Sequence, residues 1–163
     1  MSQETIKGWV ITCSDAASRG ERQDTSGPAV RDLLTATGYQ VDRIVIVVDD
    51  ELAISTVIVN AVEDGARLVV TTGGTGISSR DVTPEATLRV ADKIIPGFGE
   101  LMRNSSLHKT AMAPLSRAQA ATRGSALIVN LPGSERGAVE NLQAVLHLLP
   151  HALQLLEGKT EHQ

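Results

Sequence analysis

The stretch RLVVTTGGTGISSRDVTPEAT, residues 67–87, decides the fold class. Its first six residues, 67–72, are apolar or β-branched after Arg67, bounded by Gly65 upstream and by a cluster of glycines downstream. Such a run predicts a strand buried on both faces. Three glycines within four residues then force a sharp turn. Thr83 followed by Pro84 predicts a helix start, with threonine as cap and proline at the first helical position. Strand, glycine loop and helix make half of a crossover unit.

The same alternation extends in both directions. Residues 54–62 place Ile54, Val57, Ile58, Ala61 and Val62 at helical spacing, and Gly65 closes that helix. Before it, 41–48 (VDRIVIVV) reads as a strand. A helix over about 28–37, ended by Gly38, follows a polar loop and a first strand at 7–13. Downstream, 96–107 predicts a shorter helix, 109–122 a loop with a short extended piece, and 126–131 a strand. A helical pattern then runs through Leu142, Val145, Leu146 and Leu149, with Pro150 expected to bend or restart it. The polar tail from Gly158 is expected to fray. Repeated strand–helix units predict an α/β fold with a mostly parallel central sheet and helices on both faces. The 163 residues form a single domain, 1–163, by this reading.

Composition narrows the function. Trp9, Tyr39 and Phe98 are the only aromatic residues, so the core must be aliphatic. A net charge of −4 gives no general attraction to nucleic acid or an anionic membrane. Cys13 is the single cysteine, which excludes an internal disulfide. No apolar run approaches a membrane span, and the first fifteen residues lack a signal-peptide apolar stretch. A cytoplasmic location is expected.

In open parallel sheets ligands bind beyond the carboxyl ends of the strands. Four predicted exits lead there: Ser14-Asp15, Asp49-Asp50, the loop 73–81, and 130–134 with Pro132, Gly133 and Ser134. Gly73, Gly74 and Gly76 can present consecutive amides to phosphate oxygens, and Thr75 and Ser78 add hydroxyls. Arg80 can balance anionic charge and Asp81 can hold a divalent cation. A tight connection alone would explain one glycine loop. The second loop and the carboxylates of Asp15, Asp49 and Asp81 favour a bound phosphorylated small molecule, with Mg²⁺ between acids and phosphate. Neither a Walker loop nor the dinucleotide glycine pattern is present. His147 and His151 have a metal-ligand spacing but no accompanying Glu or Cys, so a solvated helix face is expected. Cys13 reads as a small buried hydrophobe. A flavodoxin-like or receiver domain would share the alternation, but not the second Gly-Ser loop.

TTGGTGISSRDVTPEAT (71–87), PGFGELMR (96–103), SSL (105–107) and VNLPGS (129–134) together resemble the molybdenum-cofactor biosynthesis family. Within it the likeness is to small bacterial molybdopterin adenylyltransferases and to MoaB-like proteins, and it covers about residues 6–156. The resemblance implies a three-layer α/β/α sandwich, a homotrimer or a hexamer, and adenylylation of molybdopterin by Mg-ATP with release of pyrophosphate. It further implies hand-over to a molybdate-insertion protein. It gives Asp81 and Asp49 the roles of Mg²⁺-dependent catalytic aspartates. Val48 stands where the family usually has proline, and Asp50 is the register alternative to Asp49. By the same likeness Ser14, Asp15, Gly73, Gly74, Thr75, Gly76, Arg80, Ser106, Pro132, Gly133 and Ser134 would bind pterin and nucleotide. A MoaB-like binder, carrier or scaffold without adenylylation is the alternative.

Overall fold

The computed structural model describes residues 4–159. Its sheet has six strands: β1 (Lys7–Cys13), β2 (Gln40–Val47), β3 (Leu68–Thr72), β4 (Lys93–Ile95), β5 (Gln119–Arg123) and β6 (Ala126–Leu131). They are ordered β2-β1-β3-β6-β5-β4. β2, β1, β3 and β6 are mutually parallel, whereas β5 runs antiparallel to β6 and β4 antiparallel to β5. The α-helices are α1 (Asp15–Ser18), α2 (Ser26–Ala36), α3 (Glu51–Glu63), α4 (Thr83–Val90), α5 (Pro96–Leu107), α6 (Glu135–Val145) and α7 (Leu149–Leu156).

Strand side chains alternate between faces, and this sorts the core into two layers. Val10, Leu68, Val70, Leu127 and Val129 pack on one face against Leu34 of α2, Met102 of α5, Leu142 of α6 and Leu153 of α7. Trp9, Ile11, Val69 and Ile128 pack on the other against Ile54 and Ile58 of α3 and Ala86 of α4. The fold is therefore a three-layer α/β/α sandwich. Full burial of each such aliphatic side chain contributes about 1.5–3 kcal/mol. Because both of their faces are covered, the inner parallel strands β1, β3 and β6 read in sequence as apolar runs, whereas edge strand β2 carries Asp42 and Arg43.

Several local expectations differ from the structure. The loop expected before Pro28 contains α1, and α2 already begins at Ser26. The segment 109–122 holds a short 3₁₀ turn (Ala113–Leu115) and most of β5. Thr83 does not cap α4: Val82 is the cap residue, and the Thr83 hydroxyl donates instead to the Gly73 carbonyl at 2.9 Å. A proline at the start of a helix removes one amide that would need a cap, which frees the threonine for the loop. Pro150 restarts the last helix after a 3₁₀ turn at Leu146–Leu148. Of the tail expected to fray, residues 160–163 lie outside the described residues. Gly158 and Lys159 are held by backbone bonds to Leu155 and Gln154. No helix among the described residues is long and apolar enough to cross a membrane.

Candidate active site

The chain leaves β1 to one side for β2 and then returns to the other side for β3. The point where strand order reverses therefore lies between β1 and β3. A cavity of about 640 Å³ opens there. Thr12, Cys13 and Ser14 come to it from β1, Thr72, Gly73 and Gly74 from β3, Gly133 and Ser134 from β6, and Asp49 from β2.

The exits are stitched together by backbone bonds. Ser14 N donates to Val47 O at 2.9 Å, and Gly73 N to Leu131 O at 3.0 Å. Gly73 sits at φ +90° with its Cα against the Cys13 carbonyl, so a side chain would meet backbone at a disfavoured conformation. A Cβ on Gly133 would lie 3.1 Å from Gly73 Cα, so the two glycine loops are in direct contact. Among the described residues the amides of Gly74 and Thr75 donate no hydrogen bond. The amino ends of α2 and α6 also face the cavity through Ser26 and Ser134, and Ser134 caps α6 by accepting from Gly137 N at 3.0 Å. Free amides and helix amino ends favour anions.

The carboxylates form a linked set. Asp15 N donates to Asp49 Oδ2 and Asp49 N donates to Asp15 Oδ1, both at 3.0 Å. Arg80 pairs with Asp15 Oδ2 at 2.9 Å. The Asp49 amide, with help from Arg80, holds the Asp15 carboxyl below its ordinary value. Burial pushes Asp49 up, and the charges of Asp15 and Asp81 add to the rise. Asp49 Oδ1 is buried without a hydrogen-bond partner. Asp50 is engaged elsewhere: its carboxylate accepts from Ala53 N at 2.8 Å and caps α3. Asp81 lies on the same rim but outside the cavity wall, with Oδ2 accepting from the amide and hydroxyl of Ser78 at 2.9 and 2.7 Å. Thr75, Gly76 and Arg80 likewise belong to the loop around the cavity rather than to its lining.

Ser106 is not in this cavity. It lines a neighbouring one of about 220 Å³, together with Arg103, Lys109, Asn141, Pro132 and Ser134. Asn141 donates to the Ser106 hydroxyl at 3.2 Å. Pro132 and Ser134 thus bring the second glycine loop to the smaller cavity, and Ser134 is common to both.

The residue-by-residue reading missed the cavity floor. Thr12 donates to Asp24 Oδ2 at 2.8 Å, Asp24 Oδ1 accepts from Gly27 N at 3.0 Å, and the hydroxyls of Ser26 and Thr72 are 2.9 Å apart. The run DTSG at 24–27 is a legible turn signal, but nothing in it announces a partner on β1 or β3. Arg22 is the one basic residue among the described residues lining the cavity, against Asp24, Asp49 and Glu135. His147 and His151 are exposed, and Cys13 is buried with its thiol pushed up to about 12 by burial. Among the described residues, no three His, Cys, Asp or Glu side chains gather as a metal-holding group.

The class that fold and site define is an α/β/α sandwich with glycine amides and aspartates gathered at its topological switch point. The model of the probable molybdopterin binding domain matches residues 9–151, and the chain belongs to that family. It is similar to the molybdopterin adenylyltransferases of Helicobacter pylori strain J99 (41% identity, 95% of this chain and 90% of the relative) and Escherichia coli K12 (39%, 94% and 87%). The crystal structure of the molybdopterin biosynthesis enzyme MoaB from Thermus thermophilus superimposes with a TM-score of 0.88 at 47% identity, covering 95% of this chain and 98% of that one.

Proposed function

We propose that this chain is a molybdopterin adenylyltransferase acting in molybdenum-cofactor biosynthesis in the cytoplasm. The observation that carries the reading is the switch-point cavity, where the free amide of Gly74 and an unpartnered buried carboxylate oxygen of Asp49 meet. The terminal phosphate oxygen of molybdopterin forms a bond to the α-phosphorus of ATP. The bond from that phosphorus to the oxygen bridging to the β-phosphate breaks, and pyrophosphate leaves. Nucleotidyl transfer needs in-line placement and charge neutralisation more than covalent help. In this reading the Gly74 amide and the amino ends of α2 and α6 hold phosphate oxygens in the cavity, with Thr75 on the loop around it. Arg80, paired with Asp15, adds one cation at the rim.

The residues present fit a Mg²⁺ ion. Asp49 Oδ1 is buried with no hydrogen-bond partner, and Asp81 uses only Oδ2 in its bonds to Ser78. Two protein carboxylates, completed by phosphate oxygens and water, are a common Mg²⁺ set. When bound, the ion would neutralise charge on the transferring phosphate. Asp49 is favoured over Asp50 because Asp50 is committed to the α3 cap. Assembly as a homotrimer or hexamer and hand-over to a molybdate-insertion protein belong to the same reading. Leu52, Ile77 and Met112, each more than half exposed, leave apolar surface for such contacts.

The second reading, a MoaB-like protein that binds the pterin without adenylylating it, draws on the 47% identity to the Thermus MoaB structure. Pyrophosphate release on mixing the protein with Mg-ATP and molybdopterin separates the two. An adenylyltransferase releases it, while a binder shows association alone. Asp81→Asn should bind the pterin within a few-fold of the parent and release no pyrophosphate. Normal release by that variant would remove Asp81 from the metal site.

A further inference from the structure

The loop bearing Asp81 runs from Gly73 to Val82 without regular secondary structure, and Ile77 at its tip is 70% exposed. One flank is fixed from within: Thr83 N donates to Gly74 O at 3.1 Å and the Thr83 hydroxyl to Gly73 O at 2.9 Å. The other flank is held by a residue that belongs to neither the loop nor its helix. Arg117 lies between the 3₁₀ turn and β5. Its amide donates to Thr75 O at 2.7 Å, its Nε to Gly76 O at 2.8 Å, and its Nη2 to Asp81 O at 2.8 Å. Its Nη1 pairs with the Glu85 carboxylate in the first turn of α4.

One planar guanidinium therefore grips the start of the loop, its end, and the helix that follows. The five donors of arginine stand in a fixed fork, whereas a lysine ammonium is a single point with no such plane. Resting on the adenylyltransferase reading, we propose that Arg117 is a positioning residue for the reaction: it sets the place of Asp81 at the cavity rim by clamping the loop backbone at Gly76 and Asp81. It acts through Asp81 and touches no substrate. Glu85 orients the guanidinium from the far side, so it shares the role at one remove.

The test is Arg117→Lys, with Glu85→Gln beside it and Arg123→Lys as control. Arg123 also donates a guanidinium bond to a backbone carbonyl, Val90 O at 2.8 Å, but at the far end of α4. Two readouts are taken: steady-state pyrophosphate release, and hydrogen exchange of individual amides. Arg117→Lys should lower kcat at least tenfold while KM for molybdopterin moves less than threefold. Exchange at the amides of Ser78 and Asp81, which bond within the loop, should accelerate at least tenfold, with β3 and β6 unchanged. Glu85→Gln should show the same pattern at smaller size, and Arg123→Lys should leave both readouts within twofold. Unchanged loop exchange in Arg117→Lys overturns the proposal. So does loosening of β3 and β6 together with the loop, which would mark a general structural role. Should the parent protein release no pyrophosphate, the adenylyltransferase reading falls and the exchange arm still decides the clamp. Should Arg117→Lys fail to fold, Glu85→Gln decides by the same two criteria.

Discussion

Gly27→Ala tests whether the cavity floor is a stabilising network or a set of incidental contacts. A Cβ at this position would stand 2.6 Å from the Thr12 hydroxyl and closer still to Asp24 Oδ2, so the aspartate must withdraw. Withdrawal breaks the Thr12–Asp24 bond at 2.8 Å and the capping bond from Gly27 N to Asp24 Oδ1 at 3.0 Å. A hydrogen bond to a charged group contributes about 1.5–3 kcal/mol, and a lost helix cap costs about 1 kcal/mol. Alanine's better helix propensity returns about 1 kcal/mol. The net is a destabilisation of about 2 kcal/mol, or about 4–8 °C in Tm for a domain of this size. Thermal unfolding followed by circular dichroism measures it, with Gly97→Ala as contrast. Gly97 lies in the first turn of α5 with nothing within 4 Å of the added methyl, so that variant should melt higher than the parent. Gly27→Ala melting at or above the parent would refute the network.

Asp49→Asn removes a carboxyl that burial has pushed up. A raised folded pKa means that ionisation at neutral pH opposes folding, so the variant should be more stable than the parent near pH 7. That advantage should shrink to nothing as pH falls through the carboxylate range, where the parent's Asp49 is protonated folded or unfolded; a pH-independent difference in chemical-denaturation midpoints would contradict it. Cys13, buried with its thiol raised to about 12, should ignore thiol reagents at pH 8 until the protein is unfolded. Rapid labelling of native protein would show that the strand end opens.

The inner parallel strands β1, β3 and β6 were legible because they are covered on both faces and so appear as apolar runs, and edge strand β2 was legible from its β-branched residues. β4 and β5 were not. KII and QAATR are short or alanine-rich, and they become strands by pairing at the edge of a sheet already formed around β6. The glycine loops and aspartates could be read for the same reason that glycine is informative anywhere: few backbones require it. The hydroxyls of Thr12, Ser26 and Thr72 left no such mark, since three ordinary residues meet only after two crossovers. Arg117 was silent too, because its partners on the loop are main-chain carbonyls, which every residue type supplies.

Ser134 borders both the larger cavity and the one that holds Ser106. Its oxygen already accepts from Gly137, which leaves one lone pair and a single hydroxyl proton to offer outward. That proton can rotate toward an acceptor on either side, not toward two at once. Occupants of adjoining chambers would therefore compete for a single donor, and each would be felt by the other with no movement of the backbone between them.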